Sequence, residues 1–315
     1  MGVDTNGSLV IRPASGQDVI LGNASVAELL RENMALRQAL AAVTRPGIYC
    51  FGGLLQGDQS VAFRYDPEAR AVEAVRPLSL PRHAGAASRV ANDIHLMGGT
   101  YGDVHEVYNP LIGTYRRSVP EPVARHGARA ATIGTRVYLV GGHQHPKPTP
   151  SMISFDATEG TTWSTNHTSM RVARVIPAVV PHLGFLVVLG GTQDASAGLP
   201  DVERYNPLND MWEDGPTLPQ ALVSYYCCAA SFDGNLYFFG GHGRYGMLKN
   251  SKWTVLGQAS YSGCDLASTY RDTIVLITAQ SVATFHPRDG RWDEPVPFAD
   301  RYAGANHRGC AAFFP

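Results

Sequence analysis

The chain has 315 residues, and its 26 Lys and Arg against 27 Asp and Glu give a formal net charge of −1. A near-neutral chain excludes general electrostatic attraction to nucleic acid or to an anionic membrane as its main activity. Charged residues make up 17% of the chain, and 33 Gly and 21 Pro fit a turn-rich all-β protein rather than a helical bundle or a disordered chain.

The first residues contain neither a charged region nor an apolar leader, and no run approaches the roughly 20 apolar residues that cross a bilayer. We therefore expect no membrane insertion and no standard export signal. The sequence does not identify the compartment of the protein. The five cysteines have no zinc-type spacing, and we expect buried free thiols. They are Cys50, Cys227, Cys228, Cys264 and Cys310.

Residues 1–24 form a short β segment in our interpretation, because two strand-like runs at 8–13 and 19–21 flank a turn. Residues 25–47 are expected to form a helix and a linker. Ser25 and Glu28 have the spacing of a capping box, and Pro46 followed by glycine ends the helix.

This helix carries apolar residues at the a and d positions of nearly three heptads, with an asparagine at a central a position. The pattern predicts a coiled coil that makes the chain a homo-oligomer, with a trimer favoured; the alternative is a helix packed on the neighbouring domain. A short β segment, a coiled coil and a globular head also resemble the base of trimeric viral and phage fibre proteins. The predicted oligomerisation residues are Val26, Leu29, Asn33, Leu36, Leu40 and Val43.

Glycine doublets end short apolar runs at intervals of 46, 43, 49 and 50 residues. A β-branched and aromatic strand precedes each doublet, and the glycines let the backbone leave the strand. A sixth unit has Thr278 and Ala279 in place of the doublet. The doublets begin at Gly52, Gly98, Gly141, Gly190 and Gly240.

After most doublets comes an aromatic-Asp/Asn-Pro turn, as at Tyr65, Tyr108 and Tyr205, and a second large residue follows seven or eight positions later, as at Trp163 and Trp212. This ordered combination resembles the kelch repeat. The resemblance implies four-stranded blades that stack radially. We predict an all-β fold in which residues 48–315 form a six-bladed kelch-type β-propeller of about 45 residues per blade.

The last segment, 306–314, is similar to the strand at 82–87. We therefore predict that it becomes the innermost strand of the first blade, pairs with 48–51 and closes the ring. This pairing would bring Cys310 near Cys50, which leaves a disulfide as the alternative to free thiols. The fifth unit is eight to ten residues short, and we expect its blade to lack or shorten its outer strand.

In an antiparallel blade, the innermost strand begins at the end where the doublet strand finishes, so both contribute to one mouth of the propeller. We predict that this Arg, His and Tyr-rich mouth binds a ligand, because arginine forks recognise anions and flat rings contact sugars or peptide side chains. The alternative is that these residues hydrogen-bond neighbouring carbonyls and hold the ring together. The candidates are Arg82, His83, Tyr101, Arg125, His126, His143, His145, Arg174, Tyr225, His242, Arg244, His307 and Arg308.

The sequence supports an enzymatic function less than a binding function. His126, His143, His145 and His242 could offer imidazoles to a metal, as in galactose oxidases of similar fold, but the additional domain that completes that site is missing. Sialate-epimerising kelch propellers are a second precedent, yet no acid and base pair is singled out here. We therefore expect no metal, no cofactor and no catalytic residue.

The sequence favours a non-catalytic binding protein that displays an oligomeric propeller and recognises a glycan or a protein, as in a viral or cell-surface fibre. A carbohydrate-active enzyme of galactose-oxidase or sialate-epimerase type is one alternative. An intracellular kelch adaptor is the other, although no BTB or F-box region precedes the repeats.

Overall fold

The computed structural model describes residues 46–53, 59–100, 102–194, 196–240, 242–299 and 309–313, together with three strands of the N-terminal segment. These strands, Gly2–Val3, Leu9–Ile11 and Val19–Ile20, form an antiparallel sheet in chain order. Two of these strands lie within the strand-like runs at 8–13 and 19–21, and Gly2–Val3 is a third. The predicted coiled-coil helix lies outside the described residues.

Residues Gly47–Phe314 form a separate compact unit. It contains six antiparallel blades of four main strands, as the repeats predict. From the inner to the outer strand the blades are Gly309–Phe313, Gly47–Phe51, Ala62–Asp66 and Ala71–Ala74 (blade 1); Gly85–Val90, Asp93–Gly98, Glu106–Asn109 and Thr114–Arg117 (blade 2); Arg129–Ile133, Arg136–Val140, Met152–Asp156 and Trp163–Ser164 (blade 3); Ala178–His182, Phe185–Leu189, Val202–Asn206 and Met211–Asp214 (blade 4); Cys227–Phe232, Asn235–Gly240, Arg244–Lys249 and Lys252–Gln258 (blade 5); and Leu266–Tyr270, Thr273–Ile277, Ser281–His286 and Arg291–Trp292 (blade 6).

Three smaller elements accompany the blades. A hairpin of His143–Gln144 with Lys147–Pro148 follows the second strand of blade 3. A short 3₁₀ turn, Gln220–Leu222, precedes blade 5, and Val296–Pro297 pairs with the third strand of blade 6.

The inner strands form a closed ring in which each contacts the inner strands of both neighbouring blades. Gly309–Phe313 pairs with Gly47–Phe51, which confirms the predicted closure by the C-terminal strand. Cys310 lies opposite Cys50 in this pairing, and the two form a disulfide. A second disulfide joins Cys228 of blade 5 to Cys264 before blade 6, so the expectation of free thiols holds only for buried Cys227.

The second strands lie between two blade interfaces and are therefore buried on both faces. Val137, Leu139 and Val140 in blade 3 have no exposed surface. Val137 and Leu139 pack against Ala86 and Met97 of blade 2, while Val140 packs toward blade 4. Burial on both faces explains why these strands are continuous apolar runs rather than alternating ones.

An aromatic residue on the outer strand of blades 2 to 5 reaches back to the segment that leaves the preceding blade. Each donates a hydrogen bond from its ring N–H or hydroxyl to a backbone carbonyl there, which joins neighbouring blades at the rim. The bonds are Tyr115 to Arg76 at 2.7 Å, Trp163 to Val119 at 3.1 Å, Trp212 to Thr168 at 2.9 Å and Trp253 to Pro216 at 2.7 Å.

The prediction that blade 5 lacks or shortens its outer strand is wrong. Its outer strand, Lys252–Gln258, has seven residues and carries Trp253 in the same role as Trp212 of blade 4. The missing residues come from two connections: strands two and three are separated by residues 241–243 alone, and strands three and four by Asn250 and Ser251.

The disulfides should contribute unequally to stability. A cross-link removes more chain entropy from the unfolded state as its loop lengthens. The Cys50–Cys310 and Cys228–Cys264 bonds span 260 and 36 residues. We predict that C50A/C310A loses about 1–2 kcal/mol more unfolding free energy in guanidinium than C228A/C264A does. Reductant should lower the unfolding free energy of the wild-type chain below that of both variants without reductant. Equal losses in the two variants, or a larger loss in C228A/C264A, would contradict the expectation.

Candidate functional site

Arg82 joins the first blade to the second. Its backbone carbonyl accepts a hydrogen bond from the Gly53 N–H at 3.1 Å, just after the second strand of blade 1. Its guanidinium donates to the Gly98 carbonyl at 3.5 Å and to the Glu106 carboxylate at 2.6 Å, both in blade 2. One residue therefore fastens the doublet of one blade to the second and third strands of the next.

The same arrangement recurs at the next two blade junctions. The guanidinium groups of Arg125 and Arg174 each donate at 3.1 Å to the carbonyls of Gly141 and Gly190, respectively. Their own carbonyls accept from the second glycines of blades 2 and 3 at 3.1 and 2.9 Å. A Cβ built on Gly98 would lie 2.7 Å from the Arg125 oxygen, and one on Gly141 2.5 Å from the Arg174 oxygen. The doublets therefore leave the room that the arginine backbone needs.

All three arginines are buried, and Arg174 has no exposed surface. Arg174 pairs with buried Glu203 at 2.6 Å, whereas Arg125 donates to the carbonyl and hydroxyl of Ser151 at 3.2 Å. Burial lowers the pKa of each guanidinium, and nearby carboxylates oppose that change. Burial and these bonds favour the alternative that Arg82, Arg125 and Arg174 hold the ring together, and their contact with a ligand stays a prediction.

Glu121 is a buried carboxyl beside these arginines. One of its oxygens accepts the Gly98 N–H, and the other has no hydrogen-bond partner within the described ranges. Burial raises the pKa of Glu121 to about 8, against the lowering effects of the Gly98 bond and the Arg125 charge. At neutral pH this carboxyl is therefore mostly protonated, as its low-polarity surroundings favour.

The histidines that follow two of these arginines face outward. The His126 and His143 rings stack with centroids 4.9 Å apart, and their backbones exchange hydrogen bonds of 3.2 and 2.7 Å. His145 lies 6.5 Å from His143, and His83 is bonded to the Thr100 hydroxyl at 2.9 Å. Burial, His143 and His83 all lower the pKa of His126. The structure thus brings four predicted site histidines together over blades 2 and 3.

The other predicted residues lie at the same end of blade 5, or outside the described residues. His242 and Arg244 are exposed, and the Tyr225 ring stands 4.3 Å from that of Tyr226. Gln258 donates to the His242 carbonyl at 3.3 Å, which ties this corner to the outer strand. Tyr101, His307 and Arg308 lie outside the described residues.

A second histidine pair is internal. His95 Nδ1 and His105 Nε2 are 2.9 Å apart, and both side chains are buried at the interface of blades 2 and 3, beside Phe155 and Trp163. Burial lowers the pKa of His95 to about 4 and that of His105 to about 3. Both rings are therefore neutral at neutral pH and belong to the core rather than to the mouth.

Sequence reasoning missed the channel on the propeller axis. It encloses about 370 Å³ and is lined by the six inner strands, with many alanines. Arg129 and Asp265 line it at the mouth end, and the Asp265 charge acts on Arg129. A comparison of equivalent inner-strand positions would have singled out Arg129, because the other blades carry no charge there.

In the part of the chain that the structure describes, no cluster of three or more His, Cys, Asp or Glu side chains could hold a metal ion. The same residues include no helix with the length and apolarity needed to cross a membrane.

The chain is similar in sequence to several proteins that carry kelch repeats. It is 22% identical over 245 residues to Kelch-like protein 23 of Mus musculus, covering 70% of this chain and 42% of that protein. It is 27% identical over 139 residues to Kelch-like protein 38 of Mus musculus, covering 43% of this chain and 23% of that protein. The match to Kelch-like protein 33 of Homo sapiens is 32% over 122 residues, with 38% and 22% covered.

The chain therefore spans less than half the length of these curated relatives. No protein-family model matches it. The solved structure of YjhT superposes with a TM-score of 0.66 at 14% identity, over 79% of this chain and 97% of that one. The similarity to YjhT concerns the fold alone.

The buried pair of Arg174 and Glu203 should be essential for stability. We predict that Arg174→Met lowers the unfolding free energy by about 3–5 kcal/mol, because the buried Glu203 carboxylate loses its counter-charge. Arg116→Met removes an arginine whose side chain is 59% exposed and pairs with Asp93, and it should cost less than about 1 kcal/mol.

Denaturant titration measures both losses. The double variant R174M/E203L should recover only part of the stability. It removes both buried charges together, but it also takes the Glu203 acceptor away from the backbone N–H groups of Arg171 and Val172. Equal losses for Arg174→Met and Arg116→Met would contradict the structural role of Arg174.

Proposed function

We propose that this kelch-repeat propeller is a non-catalytic module that binds a protein partner at its mouth. The observation that carries the proposal is that two neighbouring residues before an inner strand have different roles. Arg82 and Arg125 are buried and fix the blades, while the adjacent His83 and His126 face the mouth. A rigid platform with an exposed, hydrogen-bonding rim suits recognition of an extended ligand.

The chemistry of the rim favours an acidic segment of the partner. His126, His145, His242 and Arg244 are exposed there, and each can present N–H donors or positive charge. Imidazole and tyrosine rings add flat surfaces for side-chain packing. The similarity to Kelch-like proteins supports a protein ligand over a glycan, which becomes an alternative outcome of the test.

We extend the proposal to oligomeric display through residues 25–44. The a and d positions from Val26 to Val43 carry apolar residues around Asn33, which is the pattern of a short coiled coil. Several propellers on one stalk would convert weak single-mouth contacts into avidity, as in fibre proteins.

Peptide and glycan arrays probed with the full chain test the ligand class. We expect acidic peptides to bind, and H126E/R244E, which places two carboxylates at the mouth, to weaken a hit at least about tenfold, or 1.4 kcal/mol. Arg288→Glu is the matched control, because Arg288 is 70% exposed in a turn at the opposite end of blade 6. Binding to glycans alone, or equal loss in the control, would contradict a protein-binding mouth.

Sedimentation equilibrium of the full chain tests the display. We expect the mass of an oligomer, with a trimer favoured, and a monomer for L29S/L36S, because two d positions lose their apolar side chains. The control R31S/Q38S changes two f positions of the same heptads and should keep the oligomer. A monomeric full chain would exclude display.

A further inference from the structure

One layer of the channel wall contains a single charged residue. The residue before each doublet, or before Thr278 in blade 6, pairs with one residue of its inner strand. In five blades that partner is uncharged, whereas in blade 3 it is Arg129. The layer consists of Ala86, Arg129, Ala178, Cys228, Leu266 and Gly309.

The Arg129 guanidinium differs from the three fastening arginines in its contacts. Within the described ranges its one hydrogen bond runs from Nη1 to the Ala128 carbonyl at 3.4 Å, whereas Arg174 donates four and pairs with Glu203. Most of its donors are therefore available to a group in the channel, and a hydrogen bond from a guanidinium to an anion is charge-assisted.

We propose that the axial channel binds a carboxylate group, with Arg129 as its anchor. The planar guanidinium fork matches the two oxygens of a carboxylate. The wall beside it is rich in alanine, as at Ala130, Ala229 and Ala311, and these small side chains leave room for a group that carries a carboxylate. Asp265 lines the same mouth end, and its negative charge favours a monoanion over phosphate or sulfate dianions.

Two sources can supply this carboxylate: a small free acid, or an aspartate or glutamate side chain of a bound segment. In the second case the channel site is part of the proposed binding at the mouth and rests on that proposal. The acidic side chain would enter the channel while the backbone of the bound segment lies on the rim. In the first case the channel site stands alone.

The test uses the full chain labelled with ¹⁵N-arginine and follows the Nε–Hε signal of Arg129, assigned by its loss in Arg129→Gln. At constant ionic strength, acetate should shift this signal saturably and chloride should not. If the source is a side chain, a capped peptide with one central glutamate should saturate the shift of this signal at a concentration at least tenfold lower than acetate needs. The same peptide with glutamine in place of glutamate should leave the signal unshifted.

Arg89→Gln is the matched control, because Arg89 lines the same channel at its far end and donates to the Ala91 carbonyl at 2.7 Å. This variant should keep the acetate response. Arg129→Lys should weaken it several-fold, because a single ammonium replaces the fork. Unchanged melting curves for Arg129→Gln are expected because the other blades carry uncharged residues in this layer, and they keep the comparison valid.

An equal response to chloride, or loss of the response in Arg89→Gln, would overturn the proposal. Acetate binding without any peptide hit on the arrays supports the channel site and counts against the protein-binding mouth. If H126E/R244E weakens a peptide hit and Arg129→Gln does not, the result supports the mouth and excludes a peptide side chain as the source of the carboxylate.

Discussion

The propeller depends on a close backbone approach at the mouth end of three blade junctions. At three junctions an arginine carbonyl sits where a side chain on the doublet glycine would be, and the same arginine extends its guanidinium into the next blade. The doublets are thus more than strand ends, because their missing side chains create the space in which one blade binds the next. The buried carboxylates Glu106 and Glu203 make two of these junctions charge-neutral.

The fastening changes around the ring. Blades 2, 3 and 4 use Arg82, Arg125 and Arg174, whereas Ser224 stands at the corresponding place in blade 5 and the Cys227 thiol approaches the Gly190 position. Within the described residues, disulfides occur in the other half: Cys228–Cys264 joins blades 5 and 6, and Cys50–Cys310 closes blade 1. The buried arginines thus lie at the starts of blades 2 to 4, whereas the disulfides lie in blades 5, 6 and 1 alongside hydrogen bonds such as that from Thr269 to the Ser231 carbonyl.

Much of the fold followed from the sequence, because the doublets and turns recur with a regular period and the final segment is similar to an inner strand. The length of unit five does not show which segment is shortened: the connections are short, and the hydrogen bond to Pro216 identifies Trp253 as an outer-strand residue. The proximity of Cys50 and Cys310 follows from the predicted closure, whereas Cys228 and Cys264 come together only when blades 5 and 6 pack side by side. In the site, Arg82 and His83 are adjacent and both polar, so sequence cannot tell which one faces inward; Arg129 differs from its equivalents only once strand registers are known.

Closure of blade 1 by residues from both ends of the propeller makes the ring continuous through its hydrogen bonds, although the chain is linear. During synthesis the first blade cannot complete its sheet until Gly309–Phe313 has left the ribosome, so the edge of Gly47–Phe51 stays unpaired while five other blades are made. The same continuity makes the position of the chain ends within the ring arbitrary. New ends could be opened in a turn away from the mouth, such as that at Gly134, with the original ends joined in their place.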